Sequence, residues 1–352
     1  MTQAVLGLNP ALACAARGIF VYADGMAHMA ARVSGEQKVV REIKRAFARE
    51  RSGSLRVGIG DDAALWRVDR GQEAMLTCDW FLEGTHFLRD KHPPDAVGWK
   101  SLARAASDVA AMGGTPKCFL LSLALPASCT DKWLRLFLRG LRRASRTLSC
   151  QLAGGDTTRR DEILINTTVV GEVAAGRAVL RSGARAGDLL YVSGTLGEAE
   201  LGLRELGRQR GAGNASSNSF LRKHLYPEPR IALGQWLAKN HLATAMMDLS
   251  DGLSSDLPRL CSESGVGARI AVASLPCAPR SDAKDALELA LNGGDDYELL
   301  FAVRPENARK IGTKFHGLAL TRIGEITRDK RVVAEQDGKS RPLTSGGWDP
   351  FR

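Results

Sequence analysis

No stretch of the sequence approaches the roughly 18 uninterrupted apolar residues that a bilayer-spanning helix requires, so it does not read as a helical membrane protein. It has no C-x-x-C pair. Its seven cysteines, at positions 14, 78, 118, 129, 150, 261 and 277, are odd in number. Neither a disulfide framework nor a thiolate zinc site is expected, and a reducing cytoplasm is the expected compartment. There is no G-x-S-x-G elbow, and His86 and His92 have no evident paired nucleophile, which removes triad chemistry. The P-loop is missing too, because the only Gly-Lys-Ser run, at 338–340, has Val333 where the first glycine belongs. Zinc-finger spacings, RNP-like aromatic motifs and a basic tail are also lacking, so the excess of 49 Lys+Arg over 39 Asp+Glu does not by itself imply nucleic acid as a partner.

What is present is enough apolar material, 44% of 352 residues, for two domains of ordinary size. The densest positive charge lies at 132–146, where Trp133, Phe137 and Leu141 recur every four residues among arginines; a helix with a solvated basic face accounts for it. Residues 1–34 lack periodicity and are expected to be an N-terminal extension, disordered or the product of a misassigned start. A helix is expected over 35–51. An α+β domain then runs to 183, and a polar, glycine-bearing hinge at 181–187 leads to an α/β domain over 184–352. Strands are expected at 55–60, 74–78, 118–125, 151–153 and 163–173, and helices at 95–112 and 251–264, with Asp251 opening the second of these. A glycine, serine and asparagine loop is expected at 211–219.

The distinguishing feature is a set of aspartates where apolar strands are expected to end: Asp61, Asp62, Asp79, Asp108, Asp156, Asp248, Asp251, Asp295 and Asp296. Any one could be a turn or cap residue. Several converging on one place would repel one another unless cations neutralised them. Oxygen ligands without His or Cys point to Mg²⁺, which bridges to phosphate oxygens, and hence to a phosphorylated substrate such as a nucleotide. The pattern G-x-G-x-x-A at 58–63 suggests a dinucleotide site. Two adjacent carboxylates there would repel a pyrophosphate, and 64–74 is too short for a crossover helix.

Seven ordered motifs resemble the thiamine-monophosphate kinase family of the aminoimidazole ribonucleotide synthetase-like superfamily: GIGDDAAL (58–65), TCDWFLEGTHF (77–87), SDVAAMG (107–113), GGDTTR (154–159), RSG (181–183), DLSDGL (248–253) and GGDDYEL (293–299). The resemblance implies the two-domain fold of that superfamily, a homodimer, and ATP-dependent phosphorylation of thiamine monophosphate to thiamine diphosphate. Transfer would be direct, with several Mg²⁺ ions and no phosphoenzyme. It implies Asp62, Asp79, Asp108, Asp156, Asp248 and Asp251 as metal-binding carboxylates, the first five being catalytic, with Thr77 and Cys78 also near metal. Gly155, Asp156, Arg181 and Ser250 would face ATP, and His86, Asp295 and Trp348 thiamine monophosphate, with no nucleic-acid or membrane partner. Cys78 stands where the family has Thr or Ser, so a hydroxyl ligand is lost. Asp295 replaces a Glu and shortens its reach by one methylene. The alternatives are an aminoimidazole ribonucleotide synthetase or selenophosphate synthetase type of enzyme, or an inactive ATP- or metal-binding regulator.

Overall fold

The computed structural model describes residues 35–47, 54–59, 62–209, 218–279 and 282–351. The extension at 1–34, the end of the first helix beyond 47, Asp61 and most of the 211–219 loop lie outside the described residues.

The N-terminal half contains α1 (Gly35–Phe47), β1 (Leu55–Val57), β2 (Leu65–Trp66), β3 (Gln72–Leu82), α2 (Pro94–Ala111), β4 (Thr115–Leu125), α3 (Lys132–Thr147), β5 (Gln151–Arg159) and β6 (Leu164–Ala174). Four strands form a sheet in the order β3-β6-β4-β5. Its one parallel pair is β4 with β5; β3–β6 and β4–β6 are antiparallel. One face carries buried Phe119, Leu121, Leu123, Ile165 and Val169, which pack with α2 and α3 into one core. Helix α3 buries Leu134, Phe137, Leu138 and Leu141 and leaves its arginines on the other side, as an amphipathic helix should.

Helix α2 is different. It is buried nearly all round, which is the mark of a central helix. Two glycines let it lie against α3: a Cβ on Gly98 would stand 2.0 Å from the Phe137 carbonyl oxygen, and one on Gly140 would stand 1.8 Å from that of Asp95. Gly140→Ala is therefore expected to force the helices apart and cost about 3 kcal/mol, measured as a shift in the urea midpoint at unchanged m-value.

The C-terminal half contains β7 (Leu189–Ser193), α4 (Glu198–Arg208), α5 (Ser219–Leu225), α6 (Ile231–Lys239), β8 (Ala243–Leu249), α7 (Leu253–Ser264), β9 (Gly267–Ala271), α8 (Ala283–Asn292), β10 (Glu298–Val303), α9 (Ala308–Ile311), β11 (Lys314–Phe315), β12 (Leu318–Thr327), β13 (Val332–Gln336) and β14 (Lys339–Pro342). Its sheet runs β14-β13-β9-β12-β7-β10-β8, with β11 paired to β12. It is mixed, because β13 lies parallel to β9 while its other pairs are antiparallel. Strand β10, buried throughout its length, has apolar clusters on both faces. The halves meet where α6 crosses α2, so closely that a Cβ on Gly234 would stand 2.0 Å from the Ala110 carbonyl oxygen.

Three local expectations need correction. The aspartates do not all sit at strand ends: Asp79, Asp156 and Asp248 lie inside β3, β5 and β8, and Asp108 lies in α2. A strand points alternate side chains to one face, so a carboxylate within it can still face a cavity. The Gly154–Thr158 run continues β5 rather than interrupting it, because it pairs in parallel register with β4 as far as Arg159. Asp251 does not cap α7. That place belongs to Gly252, whose φ of 105° favours glycine, and the Asp251 carboxylate instead accepts a 2.5 Å hydrogen bond from Arg259.

Candidate active site

A cavity of about 790 Å³ opens between the two halves. Asp79 comes from β3, His86 from the loop after it, and Arg104 and Asp108 from α2. Asp248 is the last residue but one of β8, Ser250 and Asp251 follow the strand, Asp295 and Tyr297 precede β10, and Trp348 closes the rim from the C-terminal tail. Seven residues expected in the site therefore line one cavity: His86, Asp79, Asp108, Asp248, Ser250, Asp251 and Asp295, with Trp348 as an eighth.

Local structure aims each group. The Asp108 carboxylate accepts a 2.5 Å hydrogen bond from the Thr77 hydroxyl, tying α2 to β3. The loop holding Ser250 and Asp251 is shaped by Asp256, one of whose oxygens accepts the backbone N–H groups of Ser250, Asp251 and Gly252, each at 3.1 Å. The tail is stitched to the same loop, since the Trp348 N–H donates to the Asp251 carbonyl at 3.0 Å. Asp295 and Tyr297 both take left-handed backbone, at φ 67° and 50°, which turns the Asp295 carboxylate toward the cavity side. There it accepts from Lys100 Nζ at 2.8 Å and from the Tyr297 hydroxyl at 2.7 Å. Asp296 does something else: its carboxylate accepts the N–H groups of Gly197 and Ala199 at the start of α4.

The electrostatics follow from this crowding. Burial pushes the Asp79 carboxyl up to about 6, with Arg104 pulling it down and Asp108, Asp295 and Asp251 adding to the rise. Burial also raises Asp108, and pushes Asp248 up to about 8 with help from Asp108, Asp256 and Asp79. For Asp295 burial acts upward, yet Lys100, Arg104 and His224 outweigh it and hold the carboxyl below the usual range. Burial brings His86 down to about 4, with Arg104 acting the same way. Its Nδ1 accepts the Leu82 N–H at 3.0 Å, so the neutral ring carries its proton on Nε2.

These shifts set a pH dependence. Asp248 and Asp296, raised to about 8 and about 7, keep protons in the folded state that the unfolded chain releases near pH 4, so both subtract stability as pH rises. His86, His92 and His224, all lowered, act oppositely, but only below about pH 6.5, where the unfolded imidazoles protonate. The metal-free protein is thus expected to lose on the order of 2 kcal/mol between pH 6.5 and 8. Mg²⁺ should raise Tm more at pH 8 than at pH 6, a comparison that thermal melts make directly.

Other expected residues stand apart. Cys78 alternates with Thr77 and Asp79 on β3, so its side chain lies on the opposite, exposed face with Leu76 and Trp80. Asp156 is on that outer face too: the register aligns Trp80, Asn166, Ser122 and Asp156 in one row across the sheet. Three strand spacings separate Asp156 from β3, about 14 Å. Asp62 is exposed between β1 and β2, and Arg181 is exposed beside α7, its carbonyl accepting from the Ser264 hydroxyl. Gly155 sits where a Cβ would meet the Leu121 carbonyl oxygen at 1.9 Å.

The comparisons fit this arrangement. The family model for the N-terminal domain of AIR synthase related proteins matches residues 60–173, and that for the C-terminal domain matches 185–337. Thiamine-monophosphate kinase of Escherichia coli K12 is 39% identical over 319 residues, covering 88% of this chain and 97% of its own. The Bacillus subtilis enzyme of that name is 34% identical, over 85% of this chain and 94% of its own. The chain belongs to the thiamine-monophosphate kinase family.

Solved structures place the family's fold on the same footing. Thiamine-monophosphate kinase from Stenotrophomonas maltophilia superposes with a TM-score of 0.75 at 34% identity, covering 86% of this chain and 97% of that one. AaThiL complexed with AMPPCP and TMP gives 0.70 at 34% identity, with 89% and 96% covered. The kinase motifs of this family fall mostly on the cavity, but three cavity-side residues lie outside them: Lys100, Arg104 and His224. Lys100, Arg104 and Asp108 recur at i, i+4 and i+8, a polar stripe on an otherwise apolar helix, which is the pattern that reveals the first two.

Proposed function

We propose that this chain transfers the γ-phosphoryl group of ATP to thiamine monophosphate, giving thiamine diphosphate and ADP in the cytoplasm, as the last step of thiamine diphosphate formation. The observation that carries this reading is the convergence of Asp79, Asp108, Asp248 and Asp251 from both halves on one cavity rimmed by Trp348. Two domains, 35–183 and 184–352, would each supply part of the site.

The donor set suits Mg²⁺. It consists of carboxylate oxygens, and burial raises the pKa of three of these groups, so a bound cation would offset the cost of ionising them. Among the described residues no three His, Cys, Asp or Glu side chains form a ready-made metal cage. Mg²⁺ needs none, because it usually takes one or two carboxylates and completes its shell with water and substrate phosphates. Asp79, Asp108, Asp248 and Asp251 would hold such ions, which supply charge neutralisation at the transferring phosphoryl group. Thr77 would act through Asp108, and Asp62, Asp156 and Cys78 complete the proposed metal set, Cys78 only through its backbone.

The chain's own work is positioning. Ser250, Arg181, Gly155 and Asp156 would receive ATP. His86 would donate from Nε2, Asp295 would accept from the thiamine portion, and the Trp348 ring would cover its apolar face. The acceptor phosphate oxygen then attacks the γ-phosphorus in line with the departing ADP oxygen.

A homodimer belongs to this reading. The outer face of the four-stranded sheet exposes Leu76 at 74%, Trp80 at 55% and Leu120 at 38%, an apolar surface suited to a second copy. Asp156 shares that face at the far edge, so a second copy would be needed to bring it near Asp79. Trp80→Asp is expected to yield a monomer in sedimentation velocity, with turnover lost in parallel. To test the substrate, ADP release is followed with thiamine monophosphate, thiamine or no acceptor. Only the monophosphate should support it; equal rates with thiamine would refute the assignment.

A further inference from the structure

Arg104 is a cation of this cavity to which no family motif gives a role. It lines the space between the carboxylates and the His86–Asp295 side, and its guanidinium lies 5.2 Å from the centre of the Phe81 ring. Its side chain is 14% exposed, and Nε is buried with no hydrogen-bond partner among the described residues. Its ion pair, with Asp79, spans 3.8 Å, too long for a hydrogen bond. A guanidinium carries five N–H donors in a fixed plane, and leaving them unmatched in a half-buried place is costly. Phe81 fixes the plane, and α2 fixes the stem.

We propose that Arg104 is the binding residue for the acceptor phosphate, holding two of its oxygens through a bidentate contact while the carboxylate side of the cavity faces ATP. The inference rests on the substrate reading above and goes further, to a residue outside the family motifs. Three observations support it. Position comes first: Arg104 interacts electrostatically with Asp79, Asp251, Asp295 and His86, so it stands between the two groups of residues where an acceptor phosphate must lie. Its Nε has no hydrogen-bond partner among the described residues, unlike Lys100 Nζ, which is committed to Asp295. Planar, paired donors match a phosphate monoester and not a thiazolium or pyrimidine ring.

The test is calorimetric titration of the full chain, with Mg²⁺ and a non-hydrolysable ATP analogue present, against thiamine monophosphate and separately against thiamine. The unaltered protein should prefer the monophosphate. Arg104→Ala should weaken the monophosphate roughly 10- to 100-fold and leave thiamine within twofold, as expected for one lost charge-assisted contact. Arg104→Lys should recover part of the loss, and KM for the monophosphate should rise while KM for ATP holds. If the Ala variant does not melt cooperatively, Arg104→Gln and Arg104→Lys carry the same comparison. Unchanged binding of the monophosphate, or an equal loss for thiamine, would overturn the role of Arg104 alone. An unaltered protein that does not distinguish the two ligands would overturn the substrate reading and Arg104 with it.

Discussion

Asp108→Asn is expected to lower kcat roughly 1000-fold while raising the melting temperature of the metal-free protein. Both effects have one cause. Asp108 is half-buried in the same cavity as Asp79 and the buried Asp248 and contributes to the raised pKa of each, so its charge is unfavourable until a cation arrives. The amide keeps the volume and still accepts from Thr77, whose 2.5 Å hydrogen bond anchors the position. No cavity opens and no buried donor is orphaned, so the fold survives. The amide is a poor ligand for a hard cation, so the stabilisation that Mg²⁺ gives at pH 8 should shrink as well. A variant with full turnover would remove Asp108 from the chemistry, and one that melts earlier would show that its charge is already compensated.

Asp256→Ala is expected to cost about 3 kcal/mol and to abolish activity, although Asp256 does not line the cavity. Its carboxylate gathers three consecutive backbone N–H groups and also accepts from Arg259 at 2.9 Å. Removing it leaves those donors without a partner where water has little access, and the turn from β8 into α7 loses the anchor that sets Ser250 and Asp251. Burial, reinforced by Asp251, pushes this carboxyl up to about 6, so its charge is held by those donors at neutral pH. Asp256→Asn offers the three N–H groups one oxygen of the same shape and should retain more stability than Ala. Denaturant midpoints order the three proteins; equal loss in both variants would mean that the charge, and not the acceptor, holds the turn.

How much of this could be read in the residues depends on the distance over which each signal acts. Helix α1 is legible because Val39, Ile43 and Phe47 recur every four positions and are buried. The basic helix α3 is legible for the same reason, and its arginines do form a solvated face. The carboxylates are legible as a group, because so many brought to one place ask for a common charge partner. Which face each one takes is not legible. Thr77, Cys78 and Asp79 are neighbours in sequence, yet the pleat sends the middle one to the other side of the sheet. Asp295 and Asp296 look interchangeable, yet a left-handed residue at 295 turns one to the cavity and leaves the other to cap α4. Lys100 and Arg104 are legible only from their spacing with Asp108, because a charged residue in a helix is ordinarily solvated. Lys100 instead meets His224 of α5 and Asp295 before β10, partners 124 and 195 residues away, and Arg104 lies over Phe81 of β3.

The most direct measurement is ³¹P NMR of the purified protein with ATP, Mg²⁺ and thiamine monophosphate, following every phosphorus-containing species to completion. Thiamine diphosphate and ADP should grow together in a one-to-one ratio, with loss of the monophosphate resonance and no inorganic phosphate. Inorganic phosphate or AMP appearing in step with ATP loss, with thiamine monophosphate left intact, would contradict phosphoryl transfer to thiamine monophosphate in this cavity.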